Sequence, residues 1–361
     1  MSAGEPIRFD GPVLVTGGTG FLGRETVRQL VESGTPTHVL ARRDSVRGPL
    51  ASMPVTWHEG DLRDAASIDR AFAALERAAR EADAPARAVH AAALISYRSR
   101  DTRLAREINV EGTRAILDAA RKHGLARLAH VSSVVTVGHC TGPAAMDETA
   151  VFNSGGLGVD YVDTKRAAEE LVLGAAPPLD VVVVNPGAIF GPVERTSNTV
   201  RLIRRMAEGR APPFVPPGSV GVLGVRDAAR GTLAALRRGR SGERYLLVES
   251  SLPIAELFRR IALEVGARPV ERVLSRSVWG ALVRLAVVWD ALFPIELTPP
   301  QALTMLGLDL RFDSGKARRE LGWDPQPFDR VLAETIAHVR ASAAATPEEQ
   351  AGNRASRRAH G

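Results

Sequence analysis

Tyr161 and Lys165 stand four residues apart in the run Tyr161-Val162-Asp163-Thr164-Lys165. On a helix that spacing puts both side chains on one face, one turn apart. A phenol ionises near ~10 and is a poor proton donor or acceptor at neutral pH. A neighbouring ammonium favours the phenolate and lowers that value. The pair is a candidate acid/base device. The same spacing also describes a solvated helix face, so the elements around it must decide.

The first of those elements is a short apolar strand, Pro12 to Thr16, that runs into Gly17-Gly18-Thr19-Gly20-Phe21-Leu22-Gly23. A helix is expected from about Arg24 to Ser33, closed by Gly34. Strand, glycine-rich turn and helix is the setting of a dinucleotide fingerprint. Gly17 would allow the tight turn, Gly20 the approach of a pyrophosphate, and Gly23 the close packing of helix on strand. Free N–H groups at the helix start suit phosphate oxygens.

The second strand, Thr37 to Ala41, ends in Arg42-Arg43. An acid near this position holds a ribose 2′-hydroxyl, whereas an Arg accommodates a 2′-phosphate. Arg42, supported by Arg43, therefore points to NADP, and Asp44 keeps NAD open as the alternative. A third strand, Val55 to Glu59, leads to Asp61 and Leu62. Asp61 fits two roles, accepting from an adenine amine or capping the helix expected over Ala65 to Glu81. That helix puts Ile68, Phe72 and Leu75 on one face. A fourth strand from about Ala88 ends at Ala91-Ala92-Ala93, small residues against which a cofactor can lie. Leu94 to Tyr97 would border a substrate, and Asn109 is read as opening a helix that reaches Lys122. A fifth strand, Leu128 to Val131, ends at Ser132-Ser133. A sixth, Val181 to Val184, ends at Asn185-Pro186-Gly187. Strands alternating with helices make a doubly wound parallel sheet.

Composition narrows the class. The chain has 361 residues, 45% hydrophobic and 24% charged, with net charge +6 and pI near 10.1. Its basic residues are nearly all Arg and are interleaved with acids, which argues against a nucleic-acid stripe. Cys140 is the only cysteine. A disulfide within the chain and a cysteine-rich metal site are excluded, no metal ligand set is expected, and a reducing cytoplasm fits. The run MSAGEPIRFDG has no apolar signal-peptide core. The apolar stretch from Val278 to Ile295 is interrupted by Arg284, Asp290 and Pro294, so a core or pocket-lid helix is expected rather than a membrane span. After Pro192, helices are expected over Thr199 to Glu208, Asp227 to Arg237 and Asp329 to Ala341, with a short strand at Tyr245 to Val248.

Taken together, the motifs resemble an extended short-chain dehydrogenase/reductase, over about Val13 to Ile336. The resemblance rests on TGGTGFLG from Thr16, GDL from Gly60, HAAA from His90, NVEGT from Asn109, HVSSVVTVG from His130, YVDTK from Tyr161 and NPGAIFGP from Asn185. NPGAIFGP and Arg42 look more like the dihydroflavonol reductase and 3β-hydroxysteroid dehydrogenase branch, and like hopanoid-associated sugar-epimerase homologues, than like UDP-galactose epimerases. The resemblance implies an α/β Rossmann fold with a smaller, mostly helical C-terminal substrate domain. It divides the chain into residues 10–188 plus 225–249 for the dinucleotide, 189–224 plus 250–341 for the substrate, and a disordered tail at 342–361. It makes Tyr161 the general acid/base, Lys165 its activator and ribose ligand, and Ser133, with Ser132 as its less favoured neighbour, the substrate hydrogen bond. Residues Gly17, Thr19, Gly20, Phe21, Leu22, Gly23, Arg42, Arg43, Asp61, Leu62, Ala91, Ala92, Ala93, Asn109, Pro186 and Gly187 would line the cofactor. Relatives often carry a His where this chain has Gly224; Asp227 remains and is expected to cap a helix.

The expected activity is NADP(H)-dependent interconversion of a ketone or aldehyde with an alcohol, on a small apolar substrate and in a homodimer. Leu202, Phe214, Val215, Trp279, Leu282 and Trp289 suggest an apolar pocket, and core packing explains them equally. A nucleotide-sugar epimerase or dehydratase with tightly held NAD is the rival, with Arg201, Arg204, Arg205 and Arg210 available for a diphosphate. A non-catalytic NADP sensor is a further reading.

Overall fold

The computed structural model describes residues 6–192, 198–292 and 299–344. β1 (Val13–Thr16) is wholly buried and turns into α1 (Phe21–Glu32). β2 (Thr37–Ala41) and β3 (Val55–Glu59) precede α2 (Ala65–Glu81). β4 (Arg87–His90) precedes α3 (Thr102–Arg106), which continues through a π-helical turn at Glu107–Glu111 into α4 (Gly112–Lys122). β5 (Arg127–Val131), α5 (Asp160–Leu173) and β6 (Val181–Pro186) follow. Next come β7 (Ala188–Phe190), α6 (Asn198–Ala207), β8 (Ser219–Gly224), α7 (Val225–Arg238), β9 (Glu243–Leu247) and β10 (Ser250–Pro253). The remainder is helical: α8 (Ile254–Val265), α9 (Arg276–Leu292), α10 (Pro300–Leu306), α11 (Gly315–Leu321) and α12 (Phe328–Ala344).

The large sheet has the order β3-β2-β1-β4-β5-β6-β9, and each neighbouring pair is parallel. Parallel neighbours need crossovers, and the helices supply them on both faces. On one face Val27 and Leu30 of α1 meet Leu233 and Leu236 of α7. On the other, Ile68, Phe72 and Leu75 of α2 meet Ile116 of α4 and Val172 of α5. Burying each such side chain contributes about 1.5–3 kcal/mol. β1 pairs with β2 on one side and with β4 on the other. The strand order therefore reverses at β1, and the crevice beyond its carboxyl end is where such sheets bind ligands.

Four local expectations change. β7, β8 and β10 form a second sheet, ordered β10-β8-β7, that the sequence reading missed. These strands have three, six and four residues, and Gly221 interrupts the alternation in β8. Asn109 does not open a helix; the helix begins at Thr102, and Asn109 lies inside its π turn. Asp227 is not a cap. Gly224 takes that position, and the buried Asp227 carboxylate accepts from Arg230 at 2.9 Å and from the backbone N–H of Gln326 at 3.2 Å. It ties α7 to the segment after α11. Finally, α12 runs to Ala344, past the point where disorder was expected. Residues 345–361 and the end of the apolar run, Phe293 to Ile295, lie outside the described residues.

The expected apolar pocket also divides. Val215 and Trp279 are buried, but Leu282 and Trp289 are exposed along α9. That helix buries Trp279 against α10 and leaves Leu282, Leu285 and Trp289 exposed. No helix among the described residues is long and apolar enough to cross a membrane.

Candidate active site

The glycine-rich turn holds its shape for two separate reasons. Gly17 has φ +70°, and a Cβ there would sit 2.6 Å from the Ala92 nitrogen. A Cβ on Gly23 would come within 2.1 Å of the Gly17 carbonyl oxygen. Both positions exclude a side chain. The Gly20 N–H closes the turn on the Gly17 carbonyl at 2.9 Å, and Gly20 begins α1 with no side-chain cap. The first N–H groups of α1 therefore face outward from a cradle built of backbone, which fits an anionic pyrophosphate. Ala91 and Ala92 lie beside this turn, tied to Thr16 through backbone and hydroxyl at 3.2 and 3.3 Å. Thr19, Phe21 and Leu22 complete the run, and Ala93 follows outward.

At the end of β2, Arg42 is exposed and lies 3.3 Å from Asp44, while Arg43 is held by Glu59 at 3.0 Å. The acid expected near the adenine, Asp61, is free of the capping role. Asp64 caps α2 instead, accepting from the N–H groups of Ala66 and Ser67. Asp61 accepts from Arg63, which with the charge of Arg42 holds its carboxyl below the usual range. Leu62 packs against Gly112 at the start of α4.

The catalytic candidates converge at the ends of β5 and α5. Ser133, after β5, and Tyr161, in the first turn of α5, are both buried. Burial pushes the Tyr161 phenol above its ordinary value, and the neighbouring Ser133 hydroxyl pulls the other way. The Lys165 ammonium donates to the Val131 carbonyl at 2.7 Å, and burial lowers it to about 8. The expected lowering of the Tyr161 phenol by Lys165 is thus not what this geometry does. Desolvation dominates, and the phenol is held protonated at neutral pH. Ser132 turns toward Thr136 at 3.4 Å. Tyr97 meets the Tyr161 ring edge-on, with centroids 5.6 Å apart.

Asn109 is spent on the fold. Its side chain exchanges two hydrogen bonds with the Leu94 backbone, at 2.8 and 3.0 Å, and donates to Thr164 at 3.2 Å. It joins the loop after β4 to α5, one residue from Lys165. Pro186 ends β6, and a Cβ on Gly187 would strike the Gly221 carbonyl at 2.5 Å. Gly187 is therefore where the small sheet crosses close to the large one.

Two features escaped the sequence reading. The first is a buried carboxylate, Glu169, which is 0% exposed. It accepts from Thr136 at 2.6 Å and Asn185 at 2.7 Å, and it pairs with Arg244 at 3.3 Å. Asn185 also donates to the Ser133 carbonyl at 3.1 Å, so this network fixes the turn that carries Ser133. Glu169 lies one helical turn beyond Lys165, on the same inward face, and that spacing was the available signal. The second is a pair of buried histidines under the sheet ends. His90 bonds Thr16 and Thr113 at 2.7 and 3.1 Å, and burial lowers it to about 3. His130 is pushed well below its usual value by burial, with the Lys165 charge adding to the effect. Among the described residues no group of side chains could hold a metal ion.

Comparison with known proteins agrees with this architecture. The model of the NAD dependent epimerase/dehydratase family matches residues 13–247. Sterol demethylase protein B of Methylococcus capsulatus is 33% identical over 91% of this chain and 98% of its own length. Ceramide reductase of Caulobacter vibrioides is 32% identical over 90% of this chain and 89% of its own. Among solved structures, gox2253 superposes with a TM-score of 0.79 at 28% identity, over 92% of this chain and 99% of that one.

Proposed function

The chain belongs to the NAD-dependent epimerase/dehydratase family, as an NAD(P)-dependent oxidoreductase of the extended short-chain dehydrogenase/reductase type, and from that premise we propose a specific activity. It is the NADP(H)-dependent interconversion of a ketone or aldehyde with an alcohol on an apolar, lipid-like substrate. The observation that carries this reading is the buried Ser133–Tyr161 contact at the carboxyl end of the parallel sheet, with Lys165 one turn away. The names of the sterol and ceramide relatives support the lipid-like class.

In this reading residues 10–188 and 225–249 form the cofactor unit, and residues 189–224 and 250–341 form the substrate unit. The Gly17 to Gly23 turn cradles the pyrophosphate, Arg42 meets the 2′-phosphate, and Ala91 to Ala93, Pro186 and Gly187 border the rest of the cofactor. A bound nicotinamide supplies hydride for reduction or accepts it for oxidation. Tyr161, protonated because it is buried, gives its proton to the substrate oxygen as negative charge develops there. Ser133 donates a hydrogen bond to the same oxygen, and the Glu169 network keeps it in place. Lys165 uses one of its three N–H donors on Val131, which leaves donors for the ribose and the phenol edge.

The test is a panel of ketones offered to the purified protein with NADPH or NADH. Oxidation of NADPH by long-chain or steroidal ketones is expected. Arg42→Ala should raise the KM for NADPH by about tenfold and leave that for NADH unchanged. Turnover of nucleotide sugars with NAD retained through purification would overturn the reading.

A further inference from the structure

α9 is apolar on almost every side, yet only one face of it is covered. Trp279 is the anchor, buried, with its indole N–H donating to the Leu303 carbonyl of α10 at 3.0 Å and its ring edge-on to Phe214. On the outer side Val278, Leu282, Leu285, Val288 and Trp289 are exposed, Leu285 at 62% and Trp289 at 48%. Their spacing makes one continuous stripe along the helix. A soluble protein rarely leaves such a stripe to water.

The charges beside the stripe indicate what covers it. Arg284 lies on the helix itself and Arg272 before its first turn, both exposed; Arg276, in the first turn, is exposed too and lies 3.8 Å from Asp309. From residue 268 to residue 292 there are four arginines against two acids. An apolar stripe with a Trp, bordered by arginines, has the make-up of a helix lying in a membrane interface. At 17 residues it is about 25 Å long, and Arg284 interrupts it, so it suits lying on a bilayer rather than crossing one. Anionic headgroups would neutralise the Arg284 and Arg272 charges that border the stripe.

We propose that α9 is an interfacial helix that seats this protein on an anionic lipid surface. Its position connects that surface to the site. α10 packs on α9, and the Gln301 side chain of α10 donates to the Asp160 carboxylate at 2.7 Å. Met305 of α10 belongs to the apolar cluster that holds Tyr161. Docking through α9 places the catalytic helix one layer from the bilayer. The proposal stands on α9 alone and does not depend on the substrate reading.

The experiment is co-sedimentation of the full chain with phosphatidylcholine vesicles, with and without phosphatidylglycerol. Wild type is expected to sediment with the phosphatidylglycerol vesicles and to be released by high salt. The double variant Leu285→Glu/Val288→Glu is expected to bind about tenfold or more weakly, with unchanged melting temperature and unchanged mass by light scattering. Wild type remaining in the supernatant, or equal binding by the variant, would overturn the proposal. So would a wild-type dimer that the variant converts to a monomer, because the stripe would then be a protein interface. None of these readouts involves NADPH turnover, so failure here is distinct from failure of the proposed activity.

Discussion

β6 and α9 are both runs of apolar residues, and they end in opposite environments. β6 contributes Val181, Val182, Val183 and Val184, each fully buried between helices on both faces of the large sheet. α9 contributes more large apolar side chains and leaves Val278, Leu282, Leu285, Val287, Val288 and Trp289 exposed. Apolar content alone therefore does not decide burial. The covering layers do, and they are set by connections distant in sequence. At the end of β6 the sheet even encloses a charge, Glu169, because Asn185, Thr136 and Arg244 satisfy it. At α9 the described cover includes α10 and Phe214, and the large apolar side chains of its outer side stay exposed.

Substitutions sharpen this contrast in order of effect. Val183→Asp would place an unpaired carboxylate in the core and should cost about 4–5 kcal/mol or more, read as loss of cooperative unfolding. Glu169→Ala leaves Arg244 and Asn185 without their acceptor and should cost about 3 kcal/mol, seen in the denaturant midpoint. Its turnover should fall too, since the turn carrying Ser133 loses its brace. Leu285→Asp on α9 should change stability by less than about 0.5 kcal/mol, because that side chain is already in water. A large loss of stability in that variant would mean the outer face of α9 is covered in the free protein.

pH adds a separate handle on the site. Lys165 is charged below about pH 8 and loses its charge above it, whereas Tyr161 is pushed up and stays protonated through that range. The kcat/KM for reduction should therefore fall as pH rises past about 8, and Lys165→Met should lose that limb along with most of its activity. For stability, His90 stays neutral in the fold down to about pH 3, while an unfolded His takes up its proton near 6.5. The unfolded state binds more protons between those values, so stability should decline as pH falls through that window.

Much of the placement of the candidate site was legible in the sequence because its parts are contiguous. The glycine turn, Ser132-Ser133 and the Tyr161–Lys165 pair each lie within one short run, and backbone geometry carries each to the ends of the strands. The first six strands of the large sheet were legible for the same reason, through their short apolar runs, whereas β9 was expected only as a short strand. Glu169, Asn185 and Arg244 were not, since their meaning is a contact among three separate elements. The small sheet was hidden by strand shortness and by glycine. The direction of the Tyr161 shift was misjudged because spacing reports a neighbour, not the desolvation that outweighs it. The exposure along α9 was not legible, because sequence shows that a helix is apolar, not what covers it.

The central claim is that the Tyr161 phenol is the proton donor of an NADP(H)-dependent reduction. Single-turnover reduction of a ketone by wild type and Tyr161→Phe, with NADPH binding followed in parallel by fluorescence, tests it most directly. The account predicts a rate lower by about 10²–10⁴ in the variant with NADPH affinity nearly unchanged. A variant that turns over at the wild-type rate would contradict it.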